Sequence, residues 1–140
     1  MAELVDRIEG ILHEPTQIRD DGRVDLSVAA IAEITTPGRV DFGGGELEPA
    51  ATDPVPTAKR NPDDDYEWWD LNPGQYLITY NESLSGSDPV HLQTRAAVRE
   101  RGAFHPSLVV EAFDPVPISV GGAGLKIKEN ARISTVAMTT

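Results

Sequence analysis

Eleven prolines and twelve glycines interrupt this 140-residue chain and leave only short apolar runs between them. Each run has the length of a β-strand, and many are rich in Val, Ile, Tyr and Phe, which favour strands. The runs cover residues 24–30, 31–34, 39–42, 75–80, 90–93, 107–113, 117–120, 125–127 and 131–138. Clusters of Gly, Pro, Asn and Asp separate the runs, as turns do. The pattern therefore predicts an all-β barrel or sandwich.

Two segments have helical features. Apolar side chains recur at helical spacing in residues 2–12, which predicts an N-terminal helix. Residues 94–101 fit about two helical turns, with Thr94 as the N-cap. Residues 48–62 contain four prolines and few bulky apolar side chains, which predicts a surface loop. We expect a single domain, residues 1–140, with one or two short helices.

The chain is strongly acidic, with 23 acidic side chains against 12 basic ones and a formal net charge of −11. This balance disfavours a duplex nucleic acid as partner. The absence of cysteine excludes disulfides and thiolate metal sites. Without a transmembrane-length apolar run or a signal-peptide pattern, we expect a cytoplasmic protein with no membrane partner. The acidic excess fits adaptation to high salt, and it equally fits ordinary solubility.

Aromatic and histidine side chains provide the first candidates for a site. The three histidines lack metal-ligand spacing; His105 either lines a site or occupies an ordinary loop position. Trp68 and Trp69 point to opposite faces if they lie in a strand. We expect one of them in the core. The other either faces a partner or a base, or serves only for packing.

Charged side chains provide the second group of candidates. Arg95, Arg99 and Arg101 form a basic cluster that suits an anion, a carboxylate partner or a subunit interface. The simpler alternative for this cluster is salt bridging to Glu100 and nearby acidic residues. Glu111 lies inside an apolar run, where a carboxylate is costly to bury unless it is paired or functional. Its alternative is a solvent-facing strand position.

Four segments, in order, resemble motifs of the dUTPase and dCTP deaminase superfamily, above all those of its archaeal dUTPase-type branch. They are residues 22–26 (GRVDL), 38–42 (GRVDF), 71–82 (LNPGQYLITYNE) and 124–133 (GLKIKENARI). The resemblance extends over residues 15–138, nearly the whole chain. It implies a jelly-roll-like or distorted β-barrel domain that assembles as a homotrimer, with sites at the subunit interfaces.

The resemblance further implies a dUTP diphosphatase, which cleaves dUTP to dUMP and pyrophosphate with Mg²⁺ bound to the triphosphate. A carboxylate acts as general base in this chemistry, and cations stabilise the charge on phosphorus. Glu111 stands where the family has its catalytic aspartate, sixteen residues after Arg95. Asp25 would be structural or help to hold the metal shell indirectly, and no direct metal ligand is assigned.

The phosphate-contacting positions of the family depart from its pattern. They fall here on Arg95, Ala96, Ala97, Arg99, Arg101 and Thr135. Two serines of the family are alanines, a glutamine is Thr135, and the segment after Glu111 is several residues shorter. Two alternatives to dUTP hydrolysis therefore stay open. One is an inactive member that binds nucleotide or only assembles as a trimer; the other is a dCTP deaminase, in which Glu111 occupies the position of the deaminase glutamate.

Overall fold

A computed structural model describes residues 3–139. Most of the regular secondary structure in these residues is β-strand. Two one-turn helices, α1 (Glu14–Gln17) and α2 (Ala96–Arg99), and a 3-10 turn (Leu4–Arg7) accompany the strands. The strands are β1 (Ile8–Glu9), β2 (Val24–Thr36), β3 (Ala51–Pro54), β4 (Trp68–Leu71), β5 (Gly74–Tyr80), β6 (Ser83–Leu84), β7 (Val90–Thr94), β8 (Ala103–Phe104), β9 (Leu108–Val110), β10 (Val116–Val120), β11 (Leu125–Lys128) and β12 (Arg132–Met138).

A curled antiparallel sheet forms a half-barrel, with strands in the order β8-β10-β5-β2-β12-β7-β9 and β3 paired to β2. Two further antiparallel pairs, β1–β6 and β4–β11, complete the described strands. Strand β2 connects the two sides of the sheet. Its first residues pair with β12, and its later residues pair with β5 and β3. The expected all-β, jelly-roll-like fold with short helices is confirmed.

Several strands bury one face in the core, because buried and exposed side chains alternate along them. On β7, Val90, Leu92 and Thr94 are buried while the residues between them are exposed. On β10, Val116 and Ile118 follow the same period of two. This alternation is typical of a strand with one face buried. The sheet therefore fixes which side chains of each strand reach the surface.

The predicted N-terminal helix over 2–12 is wrong for its described residues. The 3-10 turn ends at Arg7, and Ile8 then pairs with Leu84 as part of β1; Ala2 lies outside the described residues. Gly10 has a φ of +86°, and its backbone closely approaches that of Asn81. Strand pairing buries Ile8 here, so tertiary contacts override the helical period.

Other element boundaries also differ from those predicted. Residues 24–30 and 31–34 form one strand, and residues 39–42 form none: Arg39 makes a single bridge to Glu48. The segment 48–62 stays at the surface but contains β3. Helix α2 follows Arg95 as its N-cap, because the Thr94 hydroxyl instead bonds the backbone of His105. Within residues 3–139, no helix has the length and hydropathy required to cross a membrane.

Candidate functional site

Asp25 is a fully buried carboxylate surrounded by three arginines. Its Oδ1 accepts a hydrogen bond from Arg19 Nε at 3.0 Å, and its Oδ2 accepts one from Arg132 Nη1 at 3.0 Å. Arg95 Nε lies 3.7 Å from the same Oδ2. Each of the three guanidinium side chains is partly exposed, so the cluster extends from the core to the surface. We call Asp25 and these three arginines the arginine cluster.

The sheet brings this cluster together from distant parts of the sequence. Asp25 on β2 lies opposite Thr135 on β12, and the Thr135 hydroxyl donates a 2.8 Å hydrogen bond to Oδ1. Arg132 begins β12. Arg95 follows β7, which is the other neighbour of β12, and its backbone N–H donates to the carbonyl of Ile133. Pairing of β2, β12 and β7 therefore determines the position of each charge.

The arginine cluster carries more positive than negative charge. One carboxylate faces three guanidinium groups in a chain whose net charge is −11. Burial, followed by repulsion from Arg132, lowers the pKa of the Arg95 guanidinium below its ordinary value. Arginine presents donors that match phosphate and carboxylate oxygens, and the charge excess favours an anion. The cluster is therefore suited to bind an anionic group.

Two of these arginines, Arg95 and Arg132, line a cleft of about 840 Å³. This volume lies within the usual range for small-molecule sites. The cleft is lined by Leu12, His13, Thr16, Gln17, Tyr66, Arg95, Lys128, Glu129, Asn130, Ala131 and Arg132. We call it the cationic cleft, because three cationic side chains and one carboxylate line it. Its charge and size together suit a small anionic ligand.

A buried amide holds one wall of the cationic cleft in place. The Gln17 carbonyl accepts hydrogen bonds from the backbone N–H groups of Leu12 and His13. Its amide nitrogen donates to the carbonyl of Asp25 and to the Glu82 carboxylate. Glu82, itself buried, also accepts bonds from the backbone and hydroxyl of Ser27. Gln17 therefore joins residues 12–17 to the strand that carries Asp25.

The predicted phosphate positions are divided between surface and core. Ala96 is exposed and, like Ala97, offers no hydroxyl. Arg99 donates to the carbonyl of Thr94, and Arg101 donates to the carbonyl of Ala97, so both remain on the α2 surface. Thr135 is 2% exposed, and its hydroxyl is bonded to Asp25. Of the predicted set, Arg95 is the side chain that lines the cationic cleft.

Glu111 lies away from the cationic cleft. Strand β9 ends at Val110, so the predicted strand over 107–113 is shorter than expected and Glu111 occupies an exposed bend. Glu111 and Asp114 line a groove of about 440 Å³ together with apolar residues, among them Leu92 and Val116. No residue of this groove lines the cationic cleft. A single chain therefore does not bring Glu111 to Arg95.

His105 belongs to a buried polar chain. Its Nδ1 donates to the carbonyl of Pro106 at 2.8 Å, since a carbonyl can only accept. Its Nε2, 2.7 Å from Ser134 Oγ, therefore accepts the serine hydroxyl, which in turn accepts from Tyr80 at 2.5 Å. Burial lowers the pKa of His105 and raises the pKa of Tyr80 to about 12. This row of hydrogen-bonded side chains is neutral, and it packs against the interior side of β12.

The two tryptophans point to opposite faces of β4. Trp69 is 5% exposed, and its Nε1 donates to the carbonyl of Val55. Trp68 is half-buried, and the Arg60 guanidinium lies 4.2 Å from its ring centroid. The expectation that one of the two packs in the core is confirmed by Trp69.

Sequence reasoning missed Arg19, Arg132 and Gln17. The available signal for Arg132 was its place in the last of the four motifs, 124–133, whereas Arg19 and Gln17 carried none.

Both oxygens of Asp25 already accept from arginine or Thr135, so this carboxylate does not fit a direct Mg²⁺ ligand. Residues 3–139 contain no cluster of three His, Asp or Glu side chains arranged to hold a metal ion. No family model and no curated protein matches this sequence.

Proposed function

We propose that this protein is a dUTP diphosphatase that hydrolyses dUTP to dUMP and pyrophosphate. The observation that carries the proposal is the cationic cleft, which is lined by Arg95 and Arg132. Both guanidinium groups contact the buried Asp25 carboxylate and are partly exposed to solvent. The motif resemblance supplies the nucleotide and the reaction. The acidic composition fits a salt-adapted protein as well as an ordinary soluble one, and a cytoplasmic location is part of the proposal.

Arg95 and Arg132 would hold the phosphate oxygens of the nucleotide. Asp25 restrains both guanidinium groups before the ligand arrives, since it lies 3.7 Å from Arg95 Nε and 3.0 Å from Arg132 Nη1. Donors that are already oriented stabilise charge without reorganising during the reaction. Mg²⁺ would arrive on the triphosphate and neutralise part of its charge.

Glu111 is the proposed general base, and it would act from a neighbouring subunit of a homotrimer. Its carboxylate would take a proton from water as the water oxygen forms a bond to the α-phosphorus. The bond from that phosphorus to the bridging oxygen then breaks, and pyrophosphate leaves with the electron pair. Because Glu111 and Arg95 line separate surfaces of one chain, the proposal requires contact between chains.

Pyrophosphate release from dUTP with Mg²⁺ tests this proposal, with dCTP, dTTP and UTP as competing substrates. Assays at low salt and in molar KCl, with trimer formation checked by light scattering, cover a salt-dependent assembly. We expect Glu111→Gln to lower turnover at least about 100-fold, as loss of a general base does. Asp114→Asn is the matched control, because it removes a neighbouring exposed carboxylate from the same groove. Unchanged turnover in Glu111→Gln would refute the assigned role.

A second candidate is nucleotide binding without hydrolysis. It is favoured by Ala96 and Ala97, which offer no hydroxyl, and by Thr135, whose hydroxyl is bonded to Asp25. Calorimetry with a non-hydrolysable dUTP analogue separates the two candidates. Binding of the analogue by a folded trimer that releases no pyrophosphate would favour the second. Ammonia release from dCTP in the same samples would instead identify a deaminase.

A further inference from the structure

Cations and aromatic rings alternate beside the cationic cleft: Tyr66 and Lys128 line it, and Trp68 and Arg60 continue the row into an adjacent hollow. The Arg60 guanidinium lies 4.2 Å from the Trp68 ring centroid. Lys128 Nζ lies 5.8 Å from the Trp68 centroid and 5.3 Å from that of Tyr66. All three distances are within the range of cation–π attraction. We call these four residues the aromatic wall.

Two residues of the aromatic wall, Trp68 and Lys128, lie on paired strands. Lys128 on β11 lies opposite Trp68 on β4, which fixes the lysine beside the ring. The next residue, Trp69, turns into the core and bonds the carbonyl of Val55. Glu129 N–H donates to the carbonyl of Glu67, which continues the pairing towards Tyr66. The β4–β11 pair therefore holds Trp68 and Lys128, whereas Arg60 and Tyr66 lie in the segment that leads into β4.

The wall gives the cationic cleft two chemically different parts. Tyr66 is 48% exposed, and Leu12, which lines the same cleft, is 53% exposed. Both offer apolar surface beside the guanidinium groups of Arg95 and Arg132. The adjacent hollow, which shares Tyr66 and Lys128 with the cleft, is also lined by Asp63–Asp65. Those carboxylates repel phosphate, so an anion is drawn to the arginine side of the wall.

We propose that Tyr66 is the platform on which the nucleobase stacks while the phosphates bind Arg95 and Arg132. The inference rests on the proposed function for its ligand, and it assigns the two ends of that ligand within the cleft. A base presents a flat π-face, and stacking on an exposed aromatic ring is a general way to hold it. Lys128 occupies one side of the Tyr66 ring and leaves its exposed part to the ligand.

Calorimetric titration with two probes tests this platform. Tripolyphosphate carries the phosphate chain without a base, and a non-hydrolysable dUTP analogue carries both. We expect Tyr66→Ala to bind the analogue about tenfold more weakly, as loss of one stacked base does, and to bind tripolyphosphate as the wild type does. Tyr66→Phe keeps the ring and should restore the affinity. Phe42→Ala is the matched control, since Phe42 is a fully exposed aromatic residue that does not line the cleft.

Each outcome separates the platform from the proposed function. If tripolyphosphate binds and Tyr66→Ala leaves the affinity for the analogue unchanged, the platform is overturned and the phosphate site stands. Weaker analogue binding by Tyr66→Ala in a protein that releases no pyrophosphate supports the platform and overturns the hydrolase. A wild-type chain that binds neither probe overturns both. Circular dichroism of each variant confirms that the fold is intact.

Discussion

Asp25 and Thr135 are 110 residues apart in sequence, yet the Thr135 hydroxyl donates a 2.8 Å hydrogen bond to the Asp25 carboxylate. The two residues lie opposite each other on β2 and β12. This contact orients the carboxylate whose oxygens also accept from Arg19 and Arg132. The geometry of the cationic cleft consequently depends on a pair of residues that do not line it.

Asp25→Asn should destabilise the fold strongly. The substitution keeps the shape of the side chain but leaves three guanidinium groups facing one another without a counter-charge. Breaking a buried ion pair by removing one partner costs about 3–5 kcal/mol. Urea unfolding, followed by tryptophan fluorescence, measures the difference. The control is Asp21→Asn, an exposed partner of Arg23, which should leave the unfolding midpoint unchanged. A variant at position 25 as stable as the wild type would contradict the role assigned to Asp25.

Stability should fall below pH 6.5 because His105 is buried in its neutral form. Burial lowers its folded-state pKa below the ordinary value of 6.5, so the unfolded chain binds a proton that the folded chain excludes. The contribution is fully present above pH 6.5 and is lost as the pH falls through the lower folded-state pKa. Thermal melts between about pH 7.5 and pH 5 measure the slope.

His105→Gln should flatten this part of the pH profile, because the glutamine does not titrate. Exposed His91 provides the comparison, and His91→Gln should keep the wild-type slope. Equal slopes in the wild type and both variants would show that His105 does not control the transition.

Tyr80 should ionise later than an ordinary tyrosine. Burial raises its pKa to about 12, so the unfolded chain loses this proton near pH 10 while the folded chain keeps it. Stability is therefore lost as the pH rises from 10 towards 12. A pH-jump absorbance titration, read before the chain unfolds, should show an ionisation at about 12 that is missing in Tyr80→Phe. Tyr76→Phe should retain it; a titration unchanged in Tyr80→Phe would rule out the assignment.

Removing the Tyr80 hydroxyl should also destabilise the chain at neutral pH. Ser134 Oγ would lose the hydroxyl that donates to it at 2.5 Å inside the core. Ser134 keeps its bond to His105, so the loss is that of one buried hydrogen bond, about 0.5–1.5 kcal/mol. Urea midpoints of the wild type and Tyr80→Phe measure this loss, and Thr79→Val, an exposed position on the same strand, serves as control.

Salt should stabilise this chain if its acidity reflects adaptation to high salt. A net charge of −11 makes the folded state repel itself, and ions screen that repulsion. We expect the urea midpoint to rise strongly between low salt and molar KCl. Molar tetramethylammonium chloride would separate general screening from an effect of potassium. A flat response would leave ordinary solubility as the explanation for the acidic composition.

The strands could be predicted from the sequence because their signal is local. Runs such as 75–80 and 131–138 coincide with β5 and β12 to within one residue at each end. The N-terminal helix failed because Ile8 has a partner, Leu84, that lies 76 positions further along the chain. Residues 39–42 have the local pattern of a strand. In the structure, however, Arg39 forms a single bridge to Glu48, and Phe42 is exposed to solvent.

The candidate site could be predicted only in part. The family resemblance pointed to Arg95 and Asp25 as candidate residues. Their proximity, however, depends on the pairing of β2, β12 and β7. Arg19 has no motif around it and becomes part of the cluster only when the chain after α1 turns into β2. The distance between Glu111 and Arg95 depends on how chains assemble, which a pattern within one chain does not encode.

The position of β2 has a consequence for biosynthesis. This strand is completed at Thr36, but its partner β12 begins only at Arg132, 96 residues later. Arg19 and Asp25 therefore emerge from the ribosome long before Thr135 and Arg132 can meet them. Until then, one edge of β2 lacks the strand that pairs with it in the finished fold, and unpaired edges promote aggregation. The sheet closes only once β12 has been synthesised, which makes the late pairing of residues 132–138 with β2 decisive for the yield of folded protein.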